Sequence, residues 1–144
     1  MKYYSYEEFF KDVNKIAYEI KPYNFDALLA IARGGLTFSH FLARVLDTRN
    51  IFVVNSIHYD GDKKLDYINI FNIPDLSKVK KLLIIDDISD SGETLSEIKK
   101  VVQEKFPNIE DIAIATLFYR KTSLVKPDFY IKETDEWIEF CWDF

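Results

Sequence analysis

The stretch Leu82-Leu-Ile-Ile-Asp-Asp-Ile-Ser-Asp-Ser-Gly-Glu-Thr94 changes character twice. Leu82 to Ile85 is short and uniformly apolar, the pattern of a strand buried on both faces of a parallel sheet. Asp86 and Asp87 then stand at the carboxyl end of that strand. Ser89 to Thr94 is small, polar and glycine-containing, and after it Leu95, Ile98, Val101 and Val102 recur at helical spacing. The order is strand, polar loop, helix. In open α/β sheets ligands bind just beyond the carboxyl ends of the strands. A loop that offers backbone N–H groups and the hydroxyls of Ser89, Ser91 and Thr94 at a helix N-terminus is suited to an anion, phosphate in particular.

A second stretch repeats the design. Ala27 to Ala32 is apolar throughout, Arg33-Gly34-Gly35 follows, and Leu36, Phe38, Phe41, Leu42, Val45 and Leu46 trace one side of a helix. Two glycines let a backbone approach a ligand closely, and an arginine meets phosphate with a planar fork of donors. Taken singly, each loop also reads as an ordinary βα turn, with solvated carboxylates in one and a surface arginine in the other. A nucleotide hydrolase would need a Gly-rich Lys-Ser/Thr loop upstream of the acidic pair, and the chain has none. A phospho-acceptor receiver would carry its acidic pair near the start of the domain.

The pattern of four apolar residues, Asp-Asp, three residues and Ser-Gly-x-Thr resembles the phosphoribosyl-pyrophosphate motif of type I phosphoribosyltransferases, and Ala32-Arg33-Gly34-Gly35 is similar to the pyrophosphate loop of that family. The resemblance implies an α/β fold with a central, mainly parallel sheet, helices on both faces and a small C-terminal hood. It implies a phosphoribosyl-pyrophosphate site built from Arg33, Gly34, Gly35, Asp86, Asp87, Asp90, Ser91, Gly92, Glu93 and Thr94. Mg²⁺ would sit at Asp86 and Asp87, Arg33 would offset leaving-group charge, and Asp90 would be the general base. A cis peptide is expected between Ala32 and Arg33.

The rest of the chain fits one domain over residues 1–144. Ser5 and Glu8 form a capping box for a helix over 5–20, with Pro22 ending it. Strands are expected over Ile51–His58, Tyr67–Ile73, Ile112–Phe118 and Phe129–Ile131, and a helix over Thr94–Lys105 stopped by Pro107. Between Tyr59 and Asp66 the resemblance places a loop that closes over the reaction centre, with Lys63 and Lys64 toward pyrophosphate and His58 as a hinge residue. No apolar run reaches the roughly 18 residues of a membrane helix, and the N-terminus has no signal-peptide core. The single cysteine, Cys141, cannot form an intrachain disulfide, so a cytoplasmic location is expected. A net charge of −5 argues against a nucleic-acid binder.

At the C-terminus, Trp137-Ile-Glu-x-x-Trp-Asp143 resembles the end of bacterial xanthine-guanine phosphoribosyltransferases. That likeness implies Trp137 and Ile138 stacked on a purine and Asp143 contacting the base, with Trp142 left to cap the core. It implies transfer of ribose 5-phosphate from phosphoribosyl pyrophosphate to guanine, xanthine or hypoxanthine, by a homo-oligomer, dimer or tetramer. One position departs. Where the family has a lysine for the 6-oxo group, this chain has Arg120, with Lys121 beside it, and either can donate. The rival readings are a non-catalytic sensor of phosphoribosyl pyrophosphate and the same reaction on another base.

Overall fold

The computed structural model describes residues 1–59 and 67–144. The expected closing loop, with Lys63 and Lys64, lies outside the described residues. Lys2–Tyr4 forms β1, a strand without enough pattern to be expected from sequence. Ser5 then caps α1, Tyr6–Ile20. Its side chain accepts from the Glu8 amide while Glu8 accepts from the Ser5 amide, the expected capping box. Pro22 sits in a single 3₁₀ turn, and the left-handed Asn24 reverses the chain into β2, Ala27–Ala32. There follow α2, Leu36–Leu46, then β3, Ile51–Tyr59, and β4, Tyr67–Phe71. The central strand β5 is Lys81–Ile85, β6 is Ile88–Ser89 and α3 is Glu93–Lys105. Four short strands complete the order: β7, Asp111–Ala115; β8, Phe118–Tyr119; β9, Lys132–Glu133; and β10, Ile138–Phe140.

The main sheet runs β4-β3-β2-β5-β7, parallel except for β4 at one edge. This is the expected mainly parallel α/β architecture. Because side chains alternate across a strand, β2 and β5 feed two separate cores. Leu28, Leu83 and Ile85 pack with Phe9, Ile16, Phe38 and Leu42 of α1 and α2. Leu29, Leu82 and Ile84 pack with Leu95, Ile98 and Val102 of α3. Each fully buried large side chain contributes about 1.5–3 kcal/mol of transfer free energy, so the sheet centre is anchored from both faces.

Three expectations shift in register. In α2 the buried residues are Phe38, Ser39, Leu42 and Ala43, while Leu36 and Val45 are exposed. Both lie roughly a quarter-turn from the centre of the buried face. The run Ile112–Phe118 is two strands, not one. It breaks at Thr116-Leu117, where the Thr116 hydroxyl donates to the Phe118 carbonyl and the Asp87 carbonyl takes the Leu117 and Phe118 amides. Phe129–Ile131 makes only an isolated bridge to Ala115, and the paired strand is Lys132–Glu133.

β1 lies parallel to β10, so the chain's two ends meet. Tyr4 holds this junction. It is fully buried, with its ring edge-on to Phe118 at 4.9 Å and Phe140 at 5.8 Å. Its hydroxyl donates to the buried Asp12 at 2.6 Å. Burial, then the neighbouring Asp12, raises the phenol's pKa above its ordinary value. Tyr4→Phe keeps the ring and leaves a buried carboxylate unsatisfied. It should destabilise the protein by about 1–3 kcal/mol at neutral pH, measured by urea unfolding. An unchanged midpoint would mean that Asp12 finds solvent on its own.

Candidate active site

β2 and β5 are neighbours, but the chain leaves β2 toward β3 and leaves β5 toward β7. Their carboxyl ends therefore flank a switch point, the place where an open α/β sheet has its crevice. The loop Arg33-Gly34-Gly35 leaves β2 there, after a cis peptide between Ala32 and Arg33 as expected. Asp86 and Asp87 leave β5 beside it. The same glycines also answer to the protein's own packing. A Cβ on Gly35 would lie 2.5 Å from the Ile85 carbonyl oxygen, and one on Gly34 would lie 2.8 Å from Asp87 Oδ2. Arg33 is exposed and makes no ion pair among the described residues.

The acidic pair is crowded. Asp86 Oδ1 accepts the Asp87 amide at 2.9 Å. Burial, then the charge of Asp87, pushes the Asp86 carboxyl well above the usual carboxylate range. Burial likewise raises Asp87 to about 6, with Asp143 adding repulsion, against hydrogen bonds from Asp86 and the Ile88 amide that hold it down. The Trp142 indole N–H also favours the ionised Asp87. It nevertheless falls short of hydrogen-bond geometry and has no partner among the described residues, although it is buried. Both residues are half-buried and line a small cavity.

The loop after the pair closes a small cavity of about 180 Å³, lined by Asp86, Asp87, Asp90, Ser91, Gly92 and Thr94 among others. Gly92 caps α3 in the left-handed conformation, φ 82°, and supplies no side-chain acceptor. The first-turn amides of a helix have no intrahelical acceptor and are thus available to a bound anion. A side chain at Gly92 would collide with Ser123 Oγ at 2.4 Å. That contact reveals a support that sequence reading missed. The Leu124 amide donates to the Ser91 carbonyl at 2.8 Å, and Ser89 Oγ meets Ser123 Oγ at 2.7 Å and donates to the Val125 carbonyl at 2.8 Å. Ser89 is therefore buried in this clamp and does not offer its hydroxyl to an anion. Ser91 Oγ accepts the Glu93 amide, and Glu93 Oε2 stands 3.7 Å from His58 Nε2 at the end of β3.

A larger cavity of about 730 Å³ shares Asp87, Ile88 and Asp90 as its common wall with the first, and is closed by Arg120, Trp137, Ile138 and Asp143. Trp137 is 67% exposed, whereas Ile138 is buried in β10 and only edges the cavity. Asp143 Oδ2 accepts the Phe140 amide at 3.0 Å and so fixes the last turn. Trp142 stacks on Phe140 at 4.9 Å and caps the core as expected. Arg120 and Lys121 part company. Arg120 Nε donates to Asp90 Oδ1 at 2.6 Å inside this cavity. Lys121 points away, 3.4 Å from Glu133, into a separate depression.

A family model described as the phosphoribosyl transferase domain matches residues 2–144. The chain belongs to the phosphoribosyltransferase family. Among solved structures it is similar to the Helicobacter pylori xanthine-guanine-hypoxanthine phosphoribosyltransferase, 35% identical with a TM-score of 0.90, over 98% of this chain and 92% of that one. It is also similar to a purine phosphoribosyltransferase from Pyrococcus horikoshii, 28% identical with a TM-score of 0.85, over 99% of this chain and 93% of that one. The xanthine-guanine phosphoribosyltransferase of Roseobacter denitrificans is 28% identical, over 96% of this chain and 83% of its own length. No helix among the described residues is long and apolar enough to cross a membrane.

A phosphoribosyltransferase with this acidic pair carries a stability cost. An unfolded aspartate titrates near its ordinary value, but folded Asp87 titrates at about 6. The folded state therefore binds the extra proton between those values, and its advantage is lost as pH rises through about 6. Asp87→Asn should stabilise the ligand-free, metal-free protein at pH 7.5 by roughly 1–3 kcal/mol, with no gain below about pH 4. Thermal unfolding of parent and variant across pH checks this, and an Asn variant no more stable than the parent at pH 7.5 would refute it.

Proposed function

We propose that this chain transfers ribose 5-phosphate from phosphoribosyl pyrophosphate to a 6-oxopurine, releasing pyrophosphate and a nucleoside 5′-monophosphate. The observation that carries the reading is the shared wall of the two cavities. The phosphate loop, the acidic pair and the tryptophan-edged cavity meet at Asp87 and Asp90. A sugar held between them presents its phosphate to one cavity and its anomeric carbon to the other.

In this reading the loop from Asp90 to Thr94 holds the 5′-phosphate through the first-turn amides of α3 other than that of Glu93, which Ser91 Oγ accepts. Asp86 and Asp87 accept from the ribose 2′- and 3′-hydroxyls, and their charge favours the cationic ribose ring that develops as the leaving group departs. Arg33, exposed and unpaired among the described residues, offsets pyrophosphate charge. Asp90 takes the proton of the purine imidazole. Trp137 stacks on the base, Asp143 and Ile138 border it, and Arg120 rather than Lys121 donates to its 6-oxo group, since only Arg120 lines the cavity.

The acidic pair fits Mg²⁺. Two crowded carboxylates whose ionisation burial opposes gain most from a cation, and Mg²⁺ takes one or two carboxylates with substrate oxygens and water as its other ligands. Among the described residues no cluster of three metal-ligating side chains exists, so Asp86 and Asp87 would hold the ion only together with substrate. When bound, the ion supplies charge neutralisation to the pyrophosphate.

Incubation with phosphoribosyl pyrophosphate, Mg²⁺ and a panel of bases tests the reading. Guanine, xanthine or hypoxanthine should give the monophosphate, and EDTA should abolish turnover without unfolding the protein. Binding of phosphoribosyl pyrophosphate with no product from any base would identify a sensor instead. Base stacking on an aromatic ring is worth about 1–3 kcal/mol, so Trp137→Ala should weaken purine affinity by roughly five- to 150-fold and leave phosphoribosyl-pyrophosphate affinity nearly intact. Equal purine binding by parent and variant would make the hood purely structural.

A further inference from the structure

Arg120 does more in this structure than line a cavity. Its backbone is fixed on both sides. Its amide donates to the Ser89 carbonyl at 3.0 Å, and its carbonyl accepts the Ser123 amide at 2.9 Å. Its side chain is only 16% exposed and spans two elements far apart in sequence. Nε donates to Asp90 Oδ1 of the phosphate loop at 2.6 Å, and Nη2 donates to the Glu136 carbonyl of the hood at 2.7 Å. We propose that Arg120 is a positioning residue, a brace that joins hood to phosphate loop and sets the orientation of Asp90 before the base arrives.

The chemistry of the side chain supports a brace. A guanidinium carries five N–H groups in one plane, so two bonds at Nε and Nη2 fix its orientation and still leave donors at Nη1 for a ligand. An ammonium is a point charge on a flexible stem and fixes no plane. The bond to Asp90 is charge-assisted and short, the strong kind. Asp90 itself is 56% exposed at its side chain and makes no other side-chain hydrogen bond among the described residues. Holding Oδ1 therefore decides where Oδ2 points. The carboxylate is planar, and the oxygen left over is the one able to take a proton from a base lying in the same cavity.

The hood needs such a support at its tip. Its base is pinned by β1 on β10 and by the Trp137 carbonyl, which accepts the Lys2 amide at 2.9 Å. The stretch Asp135-Glu136-Trp137 is exposed. Within it, among the described residues, the Glu136 carbonyl reaches the phosphate loop through Arg120. The catalytic consequence rests on the proposed transfer to a 6-oxopurine, whereas the mechanical one does not.

The test pairs amide hydrogen exchange of residues 134–138 in the ligand-free protein with steady-state kinetics, on the parent, Arg120→Lys, Asp90→Ala and the double variant. A charge-assisted hydrogen bond is worth enough that each single variant should exchange about tenfold faster across the hood. The double variant should be no faster than either single one, because both remove the same brace. Arg120→Lys should lose about 10²-fold in kcat, the scale of a misplaced catalytic group, with the KM for phosphoribosyl pyrophosphate unchanged. Parent-like exchange in both single variants, or a parent-like kcat for Arg120→Lys, overturns the brace. If Arg120→Lys fails to fold, exchange in Asp90→Ala still decides. If the parent turns over no 6-oxopurine, the functional reading fails while the exchange data judge the brace on their own.

Discussion

The close packing of the end of β2 against the end of β5 is the contact on which the rest of the site depends. Gly35 lies where any side chain would strike the Ile85 carbonyl, and Gly34 lies against the carboxylate of Asp87. Only with both positions bare can the arginine loop and the acidic pair share one crevice. The parallel pairing of the two strands, in register from Ala27 with Leu82 to Ala30 with Ile85, carries that closeness to the sheet edge. The loop over residues 89–94 then leaves from the acidic pair, and Ser123 to Val125 locks it from behind.

A site of this kind is electrostatically uncomfortable. Burial raises the pKa of Asp86 and of Asp87, with the charge of Asp87 adding to the first and that of Asp143 to the second. The fold tolerates this because its stability is generated elsewhere. Two dense cores on opposite faces of the sheet, together with the Tyr4 junction, hold β5 and its neighbours rigid. Stability given up at such carboxylates is the usual exchange at functional sites.

Much was legible along the chain because it is written locally. The strand Leu82–Ile85, the strand Ala27–Ala32, the Ser5–Glu8 box and the helix after the phosphate loop each follow from apolar periodicity or a cap within a few residues. The misreadings share a different cause. Ser89 looked like an anion donor because serine in a glycine loop commonly is one, yet its hydroxyl is spent on Ser123 and Val125, more than thirty positions away. The bareness of Gly34 and Gly35 answers also to the packing of β5 and Asp87, which no local pattern shows. β1 has only three residues, too few to show a period, and exists because β10 offers it an edge.

Arg120 and Lys121 show where local information ends. Side by side, both cationic and both following the same short strand, they are equivalent as letters in a sequence. Both lie just past β8, and which of them reaches Asp90 depends on how β8 lies between β6 and β9. The sequence by itself determined the central strands, the long helices and the acidic pair, because these rest on periodicity and on patterns set by neighbouring residues. Tertiary structure alone decided that Arg120 meets Asp90 and Glu136 while Lys121 meets Glu133, because those partners are brought together only when distant strands pair and fix the direction of each side chain.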